Sequence, residues 1–100
     1  MKEISHTKWL SEWYKNQCNG DWEHTYGVKI YTLDNPGWGV EIDLEETTYE
    51  ELICVPIEIQ NSVNDWFQYG ITDKKFLGYC SPNNLDILIN AFKRVVLQEE

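Results

Sequence analysis

Residues 19–43 read Asn-Gly-Asp-Trp-Glu-His-Thr-Tyr-Gly-Val-Lys-Ile-Tyr-Thr-Leu-Asp-Asn-Pro-Gly-Trp-Gly-Val-Glu-Ile-Asp, and their pattern decides the fold. Tyr26, Val28, Ile30 and Thr32 alternate with Gly27, Lys29, Tyr31 and Leu33. Further on, Trp38, Val40, Ile42 and Leu44 alternate with Gly39, Glu41, Asp43 and Glu45. A period of two is that of a half-buried strand. Between the runs, Asp34-Asn35-Pro36-Gly37 is a turn with a mechanism: Asp and Asn bond their own backbone, Pro fixes φ, and Gly permits a positive φ. A slip of one residue would turn every side chain over, so paired residue numbers must have an even sum. A connection of three residues (Asp34 to Pro36) or five (Asp34 to Trp38) meets that condition, and four does not. The face opposite the apolar one then carries Lys29 and Tyr31 beside Glu41 and Asp43.

On the N-terminal side, between Ile4 and Cys18, the residues Trp9, Leu10, Trp13, Tyr14 and Cys18 recur at the spacing of one helical face. Ser5 is the expected N-cap, and Asn19-Gly20 the helix stop. On the C-terminal side, Leu52-Ile53-Cys54-Val55-Pro56-Ile57-Glu58-Ile59 reads as a third strand, and Pro56 makes it short, bulged or at an edge. After a turn-rich break at Asn61 to Asn64, the runs 66–71 and 75–80 flank Thr72-Asp73-Lys74 as a second hairpin. Ser81-Pro82 is read as an N-cap with proline in the first turn of a closing helix. Leu85, Leu88, Ile89, Phe92 and Val96 form the inner stripe of that helix, and Ile87, Ala91 and Val95 widen it towards a second contact. Gln98-Glu99-Glu100 is expected to fray.

The order is helix, four to five strands in hairpins, helix, with no βαβ crossover. This is an α+β fold: an antiparallel sheet, most simply a meander, with the N-terminal and C-terminal helices on its apolar face. No repeat, low-complexity tract or linker divides the sequence, so residues 1–100 are read as a single domain.

Seventeen acidic against eight basic side chains give a net charge of -9. That sign repels phosphate backbones and argues against nucleic acid, while an acidic field can steer a basic protein towards the surface. Cys18, Cys54 and Cys80 cannot all pair with one another and form no Cys-x-x-Cys unit, so they are read as reduced thiols of a cytosolic protein. The first residues are too polar for a signal peptide, and no apolar run approaches the ~20 residues of a membrane span. The expectation is a cytoplasmic chain without a membrane partner.

Two clusters carry candidate chemistry. Asp21, Glu23 and His24 offer carboxylates beside an imidazole, with no evident fourth metal ligand; the competing reading is a hydrogen-bonded loop in which Asp21 accepts backbone N–H groups and His24 bridges to a strand end. Cys80, just before the closing helix, stands where a helix N-terminus can activate a thiol, but it needs His6 or His24 as a base. Cys18 and Cys54 read as core fillers, Cys54 within its strand. Trp38 is expected in the core or at its rim, or as a contact anchor if exposed. The carboxylates Glu41, Asp43, Glu45, Glu46, Glu50 and Glu51, close to Tyr31 and Tyr49, are a solvated face or a dock for a basic surface.

The runs Trp9 to His24, Tyr26 to Ile30 and Thr32 to Leu44, together with Asp65-Trp66 and Asn84-Leu85, resemble the immunity protein 53 family of bacterial polymorphic toxin systems. The first half carries nearly all of the specificity, and residues 46–64 add nothing to it. The resemblance implies a small cytoplasmic protein that binds and neutralises a cognate toxin domain, without catalysis, cofactor or metal. On Gly20, Asp21, Trp22, Glu23, His24, Asp34, Asn35, Pro36, Gly37 and Trp38 it confers membership rather than a role. The acidic balance agrees with a basic toxin, such as a nuclease. Candidate partner-binding residues are Tyr31, Glu41, Asp43 and Glu45, with Trp38 and His24 behind them. The alternative is a small thiol- or metal-assisted enzyme built on Cys80 or on Asp21, Glu23 and His24.

Overall fold

The structure is a computed structural model that describes residues 5–98. Ile4 and the Glu99-Glu100 end lie outside the described residues. Helix α1 (His6–Gln17) begins as its sequence indicates, the Ser5 hydroxyl oxygen accepting the Lys8 N–H at 3.1 Å. The chain leaves it at Cys18 and turns at Gly20, whose φ of +91° is a conformation that glycine takes without strain.

Strand β1 (Val28–Leu33) pairs antiparallel with β2 (Gly37–Asp43), Leu33 facing Gly37 and Val28 facing Ile42. The register sum is even and the connection is the three-residue one, Asp34 to Pro36. Gly37 does not use the positive φ open to glycine; it is glycine because a Cβ there would collide with the Cys80 carbonyl oxygen of a neighbouring strand. Positive φ occurs instead at Asp73 (53°) and Lys74 (61°), the two-residue turn of the second hairpin.

That hairpin comprises β4 (Asp65–Thr72) and β5 (Lys75–Cys80), preceded by β3 (Ile57–Ser62). The sheet order is β1-β2-β5-β4-β3 with every neighbouring pair antiparallel, so a simple meander is not what forms. Residues 44–56 instead carry the chain from β2 past β5 and β4 to the far edge. The side chains explain the order. β5 is apolar on both faces, with Phe76 and Cys80 on one side and Leu77 and Tyr79 on the other, and suits a central place. β3, with Pro56 before it and Glu58, Gln60 and Asn61 within it, suits an edge.

The third strand begins at Ile57 rather than Leu52. Residues 52–56 run beside β4 without strand structure, tied by the Ile71 N–H donating to the Cys54 carbonyl at 3.0 Å, and Cys54 lies in this segment rather than in a strand. The edge position and a bulge, between Gln60 and Ser62, are as Pro56 suggested.

Helix α2 (Leu85–Leu97) buries Leu88, Ile89, Ala91, Phe92 and Val96. Its N-cap is Asn84, not Ser81. Ser81 is fully buried, and its hydroxyl accepts the Trp66 N–H and donates to the Trp66 carbonyl, both at 3.1 Å. The Asn84 amide nitrogen reaches Asp65 Oδ1 at 3.0 Å, the Trp66 carbonyl at 3.1 Å and Ser81 Oγ at 3.0 Å. Buried polar groups need such partners, and satisfying these four residues together fixes the start of α2 to the start of β4.

Helix α2 packs on β4 and β5, and α1 packs on α2. Phe92 is the hub. Its ring meets Trp13 at 4.9 Å, Phe76 at 5.1 Å and Trp9 at 5.9 Å between centroids, each in an edge-to-face arrangement. Gly78 makes room for Leu88, whose methyl carbons lie where a Cβ would crowd them. The sheet thus has an inner face under the helices and an outer face that no helix of the described residues covers.

Candidate functional site

Strand parity places Lys29, Tyr31, Glu41, Asp43, Lys75, Leu77, Tyr79, Gln68 and Glu58 on the outer face, because Trp38, Val40, Ile42, Phe76 and Cys80 point inward. One transverse row crosses all five strands: Tyr31 opposite Gly39, Gly39 opposite Tyr79, Tyr79 opposite Gln68, Gln68 opposite Glu58. Gly39 is what lets the row close. A Cβ there would overlap the Tyr31 ring, so the ring lies across β2 towards Tyr79. Burial, then Tyr79 and Glu41, push the Tyr31 phenol up to about 12. Its hydroxyl donates to Glu41 Oε2 at 3.4 Å.

Beside this row a shallow groove is lined by Pro56, Glu58, Gln68, Gly70, Leu77 and Tyr79. Glu41 and Glu58 flank the aromatic centre from β2 and β3, about 14 Å apart across the sheet at the usual strand spacing and two residues apart along it. Neither has an ion-pair partner among the described residues. The face therefore offers phenol rings, one amide and two carboxylates that make no salt bridge among the described residues, with Lys29 directly opposite Glu41 on the same side.

The other candidates divide. Asp43 shares the face but is engaged: Oδ2 accepts the Gly27 N–H at 3.0 Å and Oδ1 lies 3.8 Å from Lys75 Nζ. Glu45 and His24 line a separate polar groove with Glu23, Lys29, Asp43 and Lys75 at the end of the sheet. Trp38 is on the opposite, inner face at the rim of the core, its indole N–H donating to the Pro82 carbonyl at 2.9 Å. Sequence reading omitted Glu58, Gln68, Leu77 and Tyr79. The alternation of Leu77 and Tyr79 with Phe76, Gly78 and Cys80 was the available signal for two of them, but the neighbour of β2 was not.

In the loop 19–24, Glu23 and Asn19 hold the backbone in place of the expected Asp21. The Glu23 carboxylate accepts the N–H groups of Asn19 at 3.0 Å and Gly20 at 2.9 Å, while Asn19 Oδ1 accepts those of Asp21 and Trp22. Its own backbone N–H first, then those of Asn19 and Gly20, lower the Glu23 carboxyl. His24 is exposed on the short 3-10 turn Trp22–His24, and the long-range tie from this loop is made instead by the Trp22 indole, which donates at 3.0 Å to the carbonyl of Glu45 in the turn after β2. No group of three or more metal-ligating side chains forms among the described residues. Cys80 is fully buried on the inner face, and burial raises its thiol to about 11. Among the described residues no hydrogen bond joins the Cys80 thiol to His24 or to His6, whose Nδ1 lies 2.8 Å from Asp86 Oδ2.

No helix of the described residues is long and apolar enough to cross a membrane. Neither a curated protein nor a solved structure matches the chain significantly. The family model of immunity protein 53 does, over residues 7–97, which takes in the loop, the hairpin, α2 and all of α1 but its first residue. The chain belongs to the immunity protein 53 family.

Proposed function

We propose that this protein acts in the bacterial cytoplasm by binding a cognate polymorphic toxin domain and blocking it, without catalysis of its own, and that the toxin docks on the outer face of the sheet. Family membership supports an immunity role with a toxin as partner. The observation that carries the choice of surface is the transverse row Tyr31, Gly39, Tyr79, Gln68 and Glu58 with Glu41 beside it. Two carboxylates without a salt bridge among the described residues border rings that give contact area at little entropic cost, and a chain of net charge -9 steers a basic domain towards them. Glu45 and His24 extend the contact at the end of the sheet; Asp43 positions Gly27, and Trp38 holds β2 to the loop before α2.

Co-expression with the toxin encoded beside it tests the proposal. Growth rescue and co-purification are the expected results. A chain that folds but neither rescues growth nor binds would overturn the proposal. Rescue that survives Glu41→Lys with Glu58→Lys would move the interface off this face.

A further inference from the structure

The edge strand β3 and the segment leading to it carry an apolar row that the rest of the described residues leaves open in part or almost entirely. Ile53 is 86 % exposed, Val55 74 %, Ile57 and Ile59 each 40 %, and Val63, in the turn after the strand, 81 %. Ile57 and Ile59 face Tyr69 and Phe67, which places them on the inner side of the sheet, away from the acidic row. Across a groove from Leu52, Ile53 and Cys54 lie Arg94 and Val95 of α2, and Ile87, two turns earlier on the same flank, is 40 % exposed. A row of this kind on a sheet edge is a site of association.

Charge selects the occupant. Residues 52–64 contain a single charged side chain, Glu58, in a chain of net charge -9, and Glu58 points to the outer face. Contact of like with like is therefore least opposed here, whereas a basic partner is drawn to the carboxylates of the other face. An antiparallel strand pair about a two-fold axis is self-complementary, and an even register keeps both apolar rows on one side. A register centred on Ile59 sets each Glu58 opposite Gln60 and avoids facing carboxylates.

We infer that two copies of this chain associate through β3, forming a continuous sheet with the Ile57 and Ile59 rows buried between them and both outer faces left open. Sedimentation velocity of the full chain alone, from low to high micromolar, is the test. The expected mass is twice the 11.9 kDa of one chain at the upper end. Ile59→Lys is expected to weaken the association roughly tenfold or more, with the circular dichroism spectrum unchanged. Val55→Asp, outside the ladder and so without effect on strand pairing, is expected to weaken it in the same direction. A single-chain mass throughout, or a doubled mass that neither substitution alters, would overturn the inference. So would a single-chain mass combined with loss of toxin binding in Ile59→Lys, because the strand would then belong to the toxin. Failure of toxin rescue with a doubled mass would leave this inference standing and remove only the functional proposal.

Discussion

Both faces of the sheet use a glycine to seat a large side chain, and they do so for different ends. On the inner face Gly78 clears the ground for Leu88, which is fully buried and joins α2 to the sheet. On the outer face Gly39 clears it for Tyr31, whose ring lies over β2 with its hydroxyl beside Glu41, in a face that remains partly open. The inner arrangement is accounted for by burial of apolar area alone. The outer one leaves Glu41 and Glu58 without a salt bridge among the described residues beside half-buried rings, and recognition is the role proposed for it above. Substitutions that separate folding from binding will break or sharpen that division.

The largest effect belongs to the inner face. Phe92→Ala removes the ring on which Trp9, Trp13 and Phe76 converge and should cost about 3–5 kcal/mol, a large part of an ordinary domain's stability. Urea unfolding would show it, and the fraction still folded should bind toxin normally. Loss of toxin affinity without loss of stability would mean that the helical side makes the contact.

Asn84→Ala comes next, at about 2–3 kcal/mol, because Asp65, the Trp66 carbonyl and the fully buried Ser81 hydroxyl lose a shared donor. It also bears on legibility. Asp65-Trp66 and Asn84-Leu85 stood out in the sequence as family features without a role, and the structure makes three of those residues a polar clasp between β4 and α2. Ser81, read as an N-cap from its place before Pro82, belongs to the same clasp. Capping chemistry is local and visible in a sequence; a hydroxyl bonding a backbone on another strand is not. The first hairpin was legible down to the parity of its connection, three residues or five, because alternation and parity are local; the structure selects three. The pairing of β2 with β5 was not, since it is set by which strand is apolar on both faces, and with it went Tyr79, Gln68 and Glu58.

On the outer face Glu41→Lys should cost about 2 kcal/mol of toxin affinity while stability stays within about 0.5 kcal/mol. Titration calorimetry and urea unfolding on the same preparation would separate the two. Equal losses in both would return Glu41 to the scaffold and leave the open face unexplained.

The smallest effect tests whether the 19–24 loop belongs with the scaffold or with the open face. Glu23 has its carboxyl held below the ordinary value of 4.5 by backbone N–H groups, so it stabilises the fold in full above that pH. Below it the unfolded chain binds the proton first, and the contribution disappears as pH falls through the lowered folded value. Glu23→Gln can accept only one of the Asn19 and Gly20 N–H bonds well. It should lower stability at neutral pH and flatten the fall below pH 4.5, although Glu50, lowered by the Glu46 N–H and then by Lys74, retains part of the slope. Chemical unfolding across that range would measure it, with toxin affinity at neutral pH as the second readout. Unchanged affinity places the loop with the scaffold; a fall in affinity larger than the fall in stability would draw the polar groove around His24 and Glu45 into the interface and extend the open face around the end of the sheet.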